Sequence, residues 1–302
     1  MSDAVVTPPA RRLRLAEDAR VAVTGLFAAL AVLRRRRVRG PVPRLPLDGL
    51  VEMACLFLLA GGLVAASMIL VDPFIPGLRL RLPIGVVHLF ERVTELGLGS
   101  VVLWPLGLAL LVLLGAMPHL DPLYRRVAAS VVARVGFVFT SVAGVSLVVL
   151  VVKYALGRAR PYEALLLPGP DAHLTFSLFK LKASYSSFPS GHATVVFALA
   201  VSLALLFPKA RWWLISLAVL VAASRVVLGS HYPSDVIAAA AIATTATFWL
   251  AKVFAARGLV FQIAADGTVS PKPGPSMRRL IALFSPAHRL SGAPSASQEA
   301  RP

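Results

Sequence analysis

Residues 131–152 read VVARVGFVFTSVAGVSLVVLVV, a run interrupted by a single charge, Arg134. As a helix rising about 1.5 Å per residue it is about 33 Å long, enough to cross the roughly 30 Å hydrocarbon layer of a bilayer. It lacks the period-two alternation of a barrel strand, and an isolated strand would leave its amides unpaired in lipid, so the run reads as a transmembrane helix. Others of the kind lie on either side: 50–71 and 96–116 before it, and 191–207, 212–230 and 235–255 after it. The expected fold is all-α, a six-transmembrane-helix bundle over 50–255. A basic arm at 1–49 precedes it and a tail at 256–302 follows.

Composition points the same way. Of the 302 residues 57% are hydrophobic and only 15% charged, with a mean hydropathy of +0.77, which excludes an ordinary soluble domain. The formal charge of +17 would suit nucleic acid if the basic residues lined a soluble face. They lie instead between apolar runs, so no nucleic-acid partner is expected; the bilayer is. Counted loop by loop, 22 of the 31 Lys and Arg fall on the side of the termini and nine on the other. The positive-inside rule places both termini in the cytoplasm, and the loops at 72–95, 153–190 and 230–234 outside a cell membrane that the chain crosses several times.

A shorter apolar run at 21–33 ends in Arg34–Arg37. It is too short to span, its charges follow the core instead of preceding it, and no small-residue cleavage site comes next, so it is not read as a cleaved signal. The arginines read as topological anchors, with an interfacial helix as the other reading. The tail from about 258, ending in Pro, Ser and Ala, is expected to be poorly ordered. The one cysteine, Cys55, excludes a disulfide within the chain and a Cys-rich zinc site, and reads as a small buried hydrophobe.

Charged and imidazole groups at the ends of membrane helices are costly, and three clusters of them stand out. These are KYALGRARP (Lys153–Pro161), FPSGH (Phe188–His192) and SRVVLGSHYPSD (Ser224–Asp235). Alternating helix direction brings all three to the external face, so an extracytoplasmic active site is expected. Lys153, Arg158, Arg160 and Arg225 supply cations, and a guanidinium fork matches paired phosphoryl oxygens. Ser190 suits the N-cap of the helix that follows, with Gly191 leaving room for an anion to approach the free N–H groups. Pro233 suits the first helical position, which puts Asp235 in the first turn, within reach of His231. A carboxylate on one imidazole nitrogen fixes the tautomer and frees the other to attack, which makes His231 the nucleophile. His192 is the general acid and then the base for water. No acidic cluster suited to a metal accompanies them, so no cofactor or metal is expected.

Lys153-x6-Arg160-Pro161, Pro189-Ser190-Gly191-His192 and Ser224-Arg225-x5-His231-x3-Asp235 resemble the three-part signature of the type 2 phosphatidic acid phosphatase (lipid phosphate phosphatase) superfamily. The resemblance covers roughly 50–255 and implies six spans with an external site. It also implies Lys153, Arg160, Ser190, Gly191 and Arg225 as phosphate binders, His192 as acid, His231 as nucleophile and Asp235 as its partner. Each basic residue taken alone reads equally well as a snorkelling anchor. Arg225, inside an apolar span, requires an anionic partner. His88 and His173 read as solvated or interfacial, Glu52 as interfacial, and Trp212 and Trp213 as belt anchors.

The expected function is hydrolysis of a membrane lipid phosphate or diphosphate through a phosphohistidine, without metal. Candidate substrates are undecaprenyl diphosphate, phosphatidate, phosphatidylglycerophosphate and the phosphates of lipid A. The alternatives are a lipid phosphotransferase using the same intermediate and a non-catalytic lipid-binding or transport protein. The second would need the cations but not an Asp235–His231 pair facing His192. The vanadium haloperoxidases share the signature, but they are soluble and six apolar spans speak against them.

Overall fold

The computed structural model describes residues 49–264 and 267–284; the run at 21–33 and the chain end beyond 284 lie outside the described residues. Helix α1 (Leu50–Leu70) is followed by α2 (Ile84–Glu95), α3 (Gly99–Ala116) and α4 (Pro122–Leu156). After a long connection come α5 (Gly191–Leu206), α6 (Arg211–Val227) and α7 (Pro233–Ala256). Two short strands, β1 (Phe261–Ile263) and β2 (Val269–Pro271), and a last helix, α8 (Met277–Phe284), complete the described chain. The architecture is all-α apart from that hairpin.

Among the described residues, five stretches are long and apolar enough to cross a membrane: 50–70, 84–119, 122–156, 208–227 and 233–256. The remaining expected span is α5, whose 16 residues make about 24 Å of helix. This short helix sits at the centre. Ala193, Val196 and Ala200 of α5 pack against Ala218, Val221 and Ala222 of α6 and Ala239 of α7. On its other side Val195 and Ala198 meet Val142 and Val145 of α4 and Ala243 of α7, with Val102 and Leu103 of α3 alongside. Small side chains at these positions let the backbones approach closely, which is how helices gain packing energy where lipid offers no hydrophobic drive.

Helix α1 shows the opposite pattern. Phe57, Leu58 and Leu59 are exposed and only Ser67 is buried, so its apolar surface is one that lipid covers. Cys55 shares that exposed surface, which corrects its reading as a buried hydrophobe. Glu52 caps the helix by accepting the Gly49 N–H at 2.9 Å. Helix α4, at 35 residues, begins nine positions before the apolar run that betrays it in sequence, because Pro122–Ser130 continues the same helix.

Within the described part of the tail the chain forms a hairpin. Strands β1 and β2 pair antiparallel with Phe261 opposite Pro271. Phe261 is buried, edge-on to Phe137 of α4 at 4.7 Å between centroids. Arg134 donates to the Lys272 carbonyl at 2.9 Å, and Lys272 Nζ to the Gly258 carbonyl at 2.8 Å. The charge inside the third span therefore has a structural partner, and that partner orders the hairpin.

The chain divides into two compact units. Of the described residues, those in 49–107 and 134–272 form one unit, which holds the candidate site, and those in 108–133 and 273–284 belong to the other. Within the second, Arg125 closes the turn ahead of α4 by donating to the carbonyls of Met117, Pro118 and Leu120.

Candidate active site

The three motifs meet at one end of the bundle. Lys153 stands in the last turn of α4, Gly191 and His192 open α5, Arg225 lies near the end of α6, and Asp235 is in the first turn of α7. His192 is within electrostatic range of Arg225, His231, Arg160 and Lys153, groups drawn from all three motifs.

Local chemistry places each group. Gly157 ends α4 with φ +60°, and a Cβ there would lie 1.9 Å from the Ser177 carbonyl oxygen. Only glycine permits that approach. It allows Ser177 N–H to donate to the Gly157 carbonyl at 2.9 Å and Ala159 N–H to the Thr175 carbonyl at 3.0 Å, which clamps the 153–160 row onto the long connection. Ser190 is the N-cap of α5, accepting the Ala193 N–H at 3.5 Å, while its own N–H donates to the Asp235 carbonyl at 3.1 Å. That last bond ties the start of α5 to the start of α7. A Cβ on Gly191 would meet nothing within 4 Å, so the helix N-terminus opens onto free space. The N–H groups of Gly191 and His192 lie ahead of the first intrahelical bonds, a position suited to binding an anion.

Pro233 begins α7 as its sequence position predicts, and Asp235 Oδ2 accepts the Tyr232 N–H at 2.8 Å. The same oxygen accepts the Ser187 hydroxyl at 2.5 Å and lies 3.4 Å from His231 Nδ1, within ion-pair range. The imidazole is buried, and burial pushes its pKa down to about 4, with Arg160 and Arg225 acting in the same direction and Asp235 opposing them. His231 is therefore neutral at physiological pH, with Nδ1 turned to the carboxylate and Nε2 the nitrogen left for chemistry.

The cations separate into two kinds. Arg160 donates to the Ser186 hydroxyl at 3.3 Å and Arg225 to the Thr94 hydroxyl at 2.9 Å. The Nε of each has no partner among the described residues. Among the described residues, neither of these nor Lys153 is paired with a carboxylate. Half-buried guanidinium and ammonium groups of this kind are suited to an anionic ligand. Among the described residues no carboxylate supplies the anionic partner expected for Arg225.

Arg158, also expected as a phosphate binder, has different surroundings, with its donors turned to groups of the protein. It is fully buried, and its Nη1 donates to Asp235 Oδ1 and Ser234 Oγ, both at 2.6 Å. Its Nη2 donates to Asp72 Oδ2 at 2.8 Å and to the His173 carbonyl at 3.0 Å, and Nε to that carbonyl at 3.3 Å. All five guanidinium N–H groups are engaged by the protein. Its plane also lies over the Tyr232 ring, 4.2 Å from the centroid. His173, read from sequence as solvated, is buried and anchors Arg158 through its backbone.

Several neighbours of the site carry no motif signal: Asp72, Thr94, Ser186 and Ser187. The available hint for Asp72 is an acidic residue directly after an apolar span. Among the described residues, no group of three or more His, Cys, Asp or Glu is arranged to hold a metal. The carboxylates of Asp72 and Asp235 both pair with Arg158.

The chain is similar to known proteins over most of its length. Residues 134–259 match the family model of the PAP2 superfamily. The chain is 34% identical over 218 residues to a lipid A 1-phosphatase of Rhizobium etli, covering 71% of this chain and 90% of that protein. It is also 34% identical over 238 residues to a lipid A 1-phosphatase of Rhizobium johnstonii, covering 78% of this chain and 93% of that one. An undecaprenyl-diphosphatase of Sulfolobus acidocaldarius is 44% identical over 98 residues, covering 32% of this chain and 47% of its own. With relatives matched over nearly their whole length and the three motifs assembled at one end of the bundle, the chain belongs to the PAP2 superfamily.

Proposed function

We propose that this multi-pass membrane lipid phosphatase removes the 1-phosphate of lipid A through a phosphohistidine on His231. The observation that carries the chemistry is the gathering of Lys153, Arg160 and Arg225, none paired with a carboxylate among the described residues, around His192 and a buried His231–Asp235 pair. The phosphate binds between these cations and the N-terminus of α5, with Gly191 leaving room for it and Ser190 holding the helix start. His231 Nε2 attacks phosphorus as the bond to the lipid oxygen breaks. His192 protonates that oxygen, then takes a proton from the water that cleaves the phosphorus–nitrogen bond, releasing inorganic phosphate. Asp235 stabilises the imidazolium character that develops on His231, and the cations offset the charge on the transferring group without a metal ion.

The choice of lipid A rests on the two Rhizobium relatives, matched over 90% and 93% of their lengths. The 44% identity to an undecaprenyl-diphosphatase over 98 residues favours undecaprenyl diphosphate as a second reading. The purified chain in mixed micelles, given lipid A, undecaprenyl diphosphate, phosphatidate and phosphatidylglycerophosphate separately, distinguishes them. Lipid A should release phosphate fastest and yield the 1-dephosphorylated product by mass spectrometry. Faster release from another lipid would overturn the substrate, and release only with a lipid acceptor would make the enzyme a transferase.

We place both termini in the cytoplasm, the site outside and the sixth crossing in α5. A cysteine at exposed Lys182, in a Cys55→Ser background, should react with an impermeant maleimide in spheroplasts. Reaction only after lysis would reverse the orientation.

A further inference from the structure

The pairing of Arg158 raises an electrostatic problem. Its guanidinium is 2.6 Å from Asp235 Oδ1, whereas His231 Nδ1 is 3.4 Å from Asp235 Oδ2. Were Arg158 and Asp235 alone, the pair would be formally neutral and Asp235 would have little field left to stabilise an imidazolium. The second carboxylate changes this. Asp72 Oδ2 is 2.8 Å from Arg158 Nη2, and Asp72, Arg158 and Asp235 are all fully sequestered from solvent. Two carboxylates about one guanidinium leave one net negative charge, and the group completed by a cation at His231 is neutral. Buried charge is tolerated when it is paired and hydrogen-bonded, and here the balance is reached as His231 becomes cationic.

Asp72 is itself held in place. Ser67 Oγ of α1 donates to its Oδ1 at 3.0 Å, and the Ser234 N–H does so at 3.3 Å. The Ser234 hydroxyl, which accepts from Arg158, donates to Asp72 Oδ2. A carboxylate at the end of the first helix is thereby wired to the first turn of α7, next to Asp235.

We propose that Asp72 is a positioning residue for the reaction: by taking up the charge of Arg158 it leaves Asp235 an effective anion for His231. This deepens the phosphohistidine reading and rests on it. Asp72 touches neither substrate nor the reacting nitrogen and acts through Arg158 and Asp235.

The test is a charge-balance cycle in the full-length chain: Asp72→Asn, Arg158→Gln, and the two together, with folding checked by thermal unfolding. Asp72→Asn makes the relay neutral, and kcat should fall about ten- to a hundredfold with KM little changed, as for other groups that orient a reacting ligand from behind. The double variant restores one net negative charge and should exceed Asp72→Asn in kcat by about fivefold or more, although it has lost more contacts. A merely structural Asp72 predicts the reverse order. A double variant that folds and is no more active than Asp72→Asn, or Asp72→Asn with wild-type kcat, overturns the proposal. If Asp72→Asn does not fold, the double variant decides alone: kcat within about tenfold of wild type supports the relay and a larger loss overturns it. If neither folds, Ser67→Ala decides, a lower kcat at unmoved KM supporting the relay and an unchanged kcat overturning it. The phosphohistidine reading fails separately, by absence of a labelled His231 in the wild type.

Discussion

Replacing Gly157 with alanine should detach the long connection from the cation row. The residue has φ +60°, where a side chain costs about 1–2 kcal/mol. Its new Cβ would stand 1.9 Å from the Ser177 carbonyl oxygen, and the obstacle is backbone, so no side chain can rotate away. The two strands must part by well over an ångström to reach ordinary contact. That breaks the Ser177 N–H to Gly157 bond at 2.9 Å and strains the bonds from Ala159 N–H to Thr175 and from Phe179 N–H to Ala155, both 3.0 Å. Each lost bond contributes about 1 kcal/mol, so the local cost is about 3–5 kcal/mol. Because the same segment presents the His173 carbonyl to Arg158, activity should fall with it. Limited trypsinolysis in detergent provides the assay. The connection should be cut at Lys182 much faster in Gly157→Ala than in wild type, with phosphatase activity reduced at least about tenfold. A variant that matches wild type in both would show that the two strands do not approach as described.

Gly191→Ala should behave in the opposite way, since a Cβ there meets nothing within 4 Å of the protein. Its thermal stability should match wild type while kcat/KM for the lipid phosphate falls, and equal activity would show that the anion does not approach this helix end. Lowering the pH should leave His231 neutral and competent until about 4, so the acid limb of kcat/KM attributable to the nucleophile should lie well below 6.5. The same shift makes folding stability fall as pH drops from 6.5 towards 4, because the unfolded chain takes up the proton first; stability that rises over that interval would contradict a buried neutral imidazole. Activity should persist in excess EDTA and fall with vanadate, a five-coordinate mimic of phosphoryl transfer, and magnesium-restorable loss in EDTA would contradict charge neutralisation by Lys153, Arg160 and Arg225.

Much of the bundle and of the site is legible in the sequence because both rest on strong local constraints. Apolar runs of bilayer length fix most of the helices, and Pro233 and Ser190 mark helix starts that the structure reproduces. What stayed hidden depends on where side chains point. Lys153, Arg158 and Arg160 lie within eight residues, and nothing in that spacing tells which faces the ligand. In the structure Arg158 points into the protein, drawn there by Asp72 and Asp235 together. Asp72 carries no motif, because its partner is 86 residues away. The hairpin in the tail had a local signal in Asp266-Gly267, flanked by alternating residues, which composition alone obscured.

The measurement that reaches the central claim most directly is trapping of the phosphoenzyme. Substrate labelled in its phosphate is mixed with the full-length enzyme, quenched within milliseconds in strong base, and the label mapped by peptide mass spectrometry. The account predicts an acid-labile, base-stable phosphoramidate on His231, absent in His231→Ala and accumulating in a variant of His192, whose second task is to activate water. Label on any other residue, or turnover by His231→Ala at the wild-type rate, would contradict it.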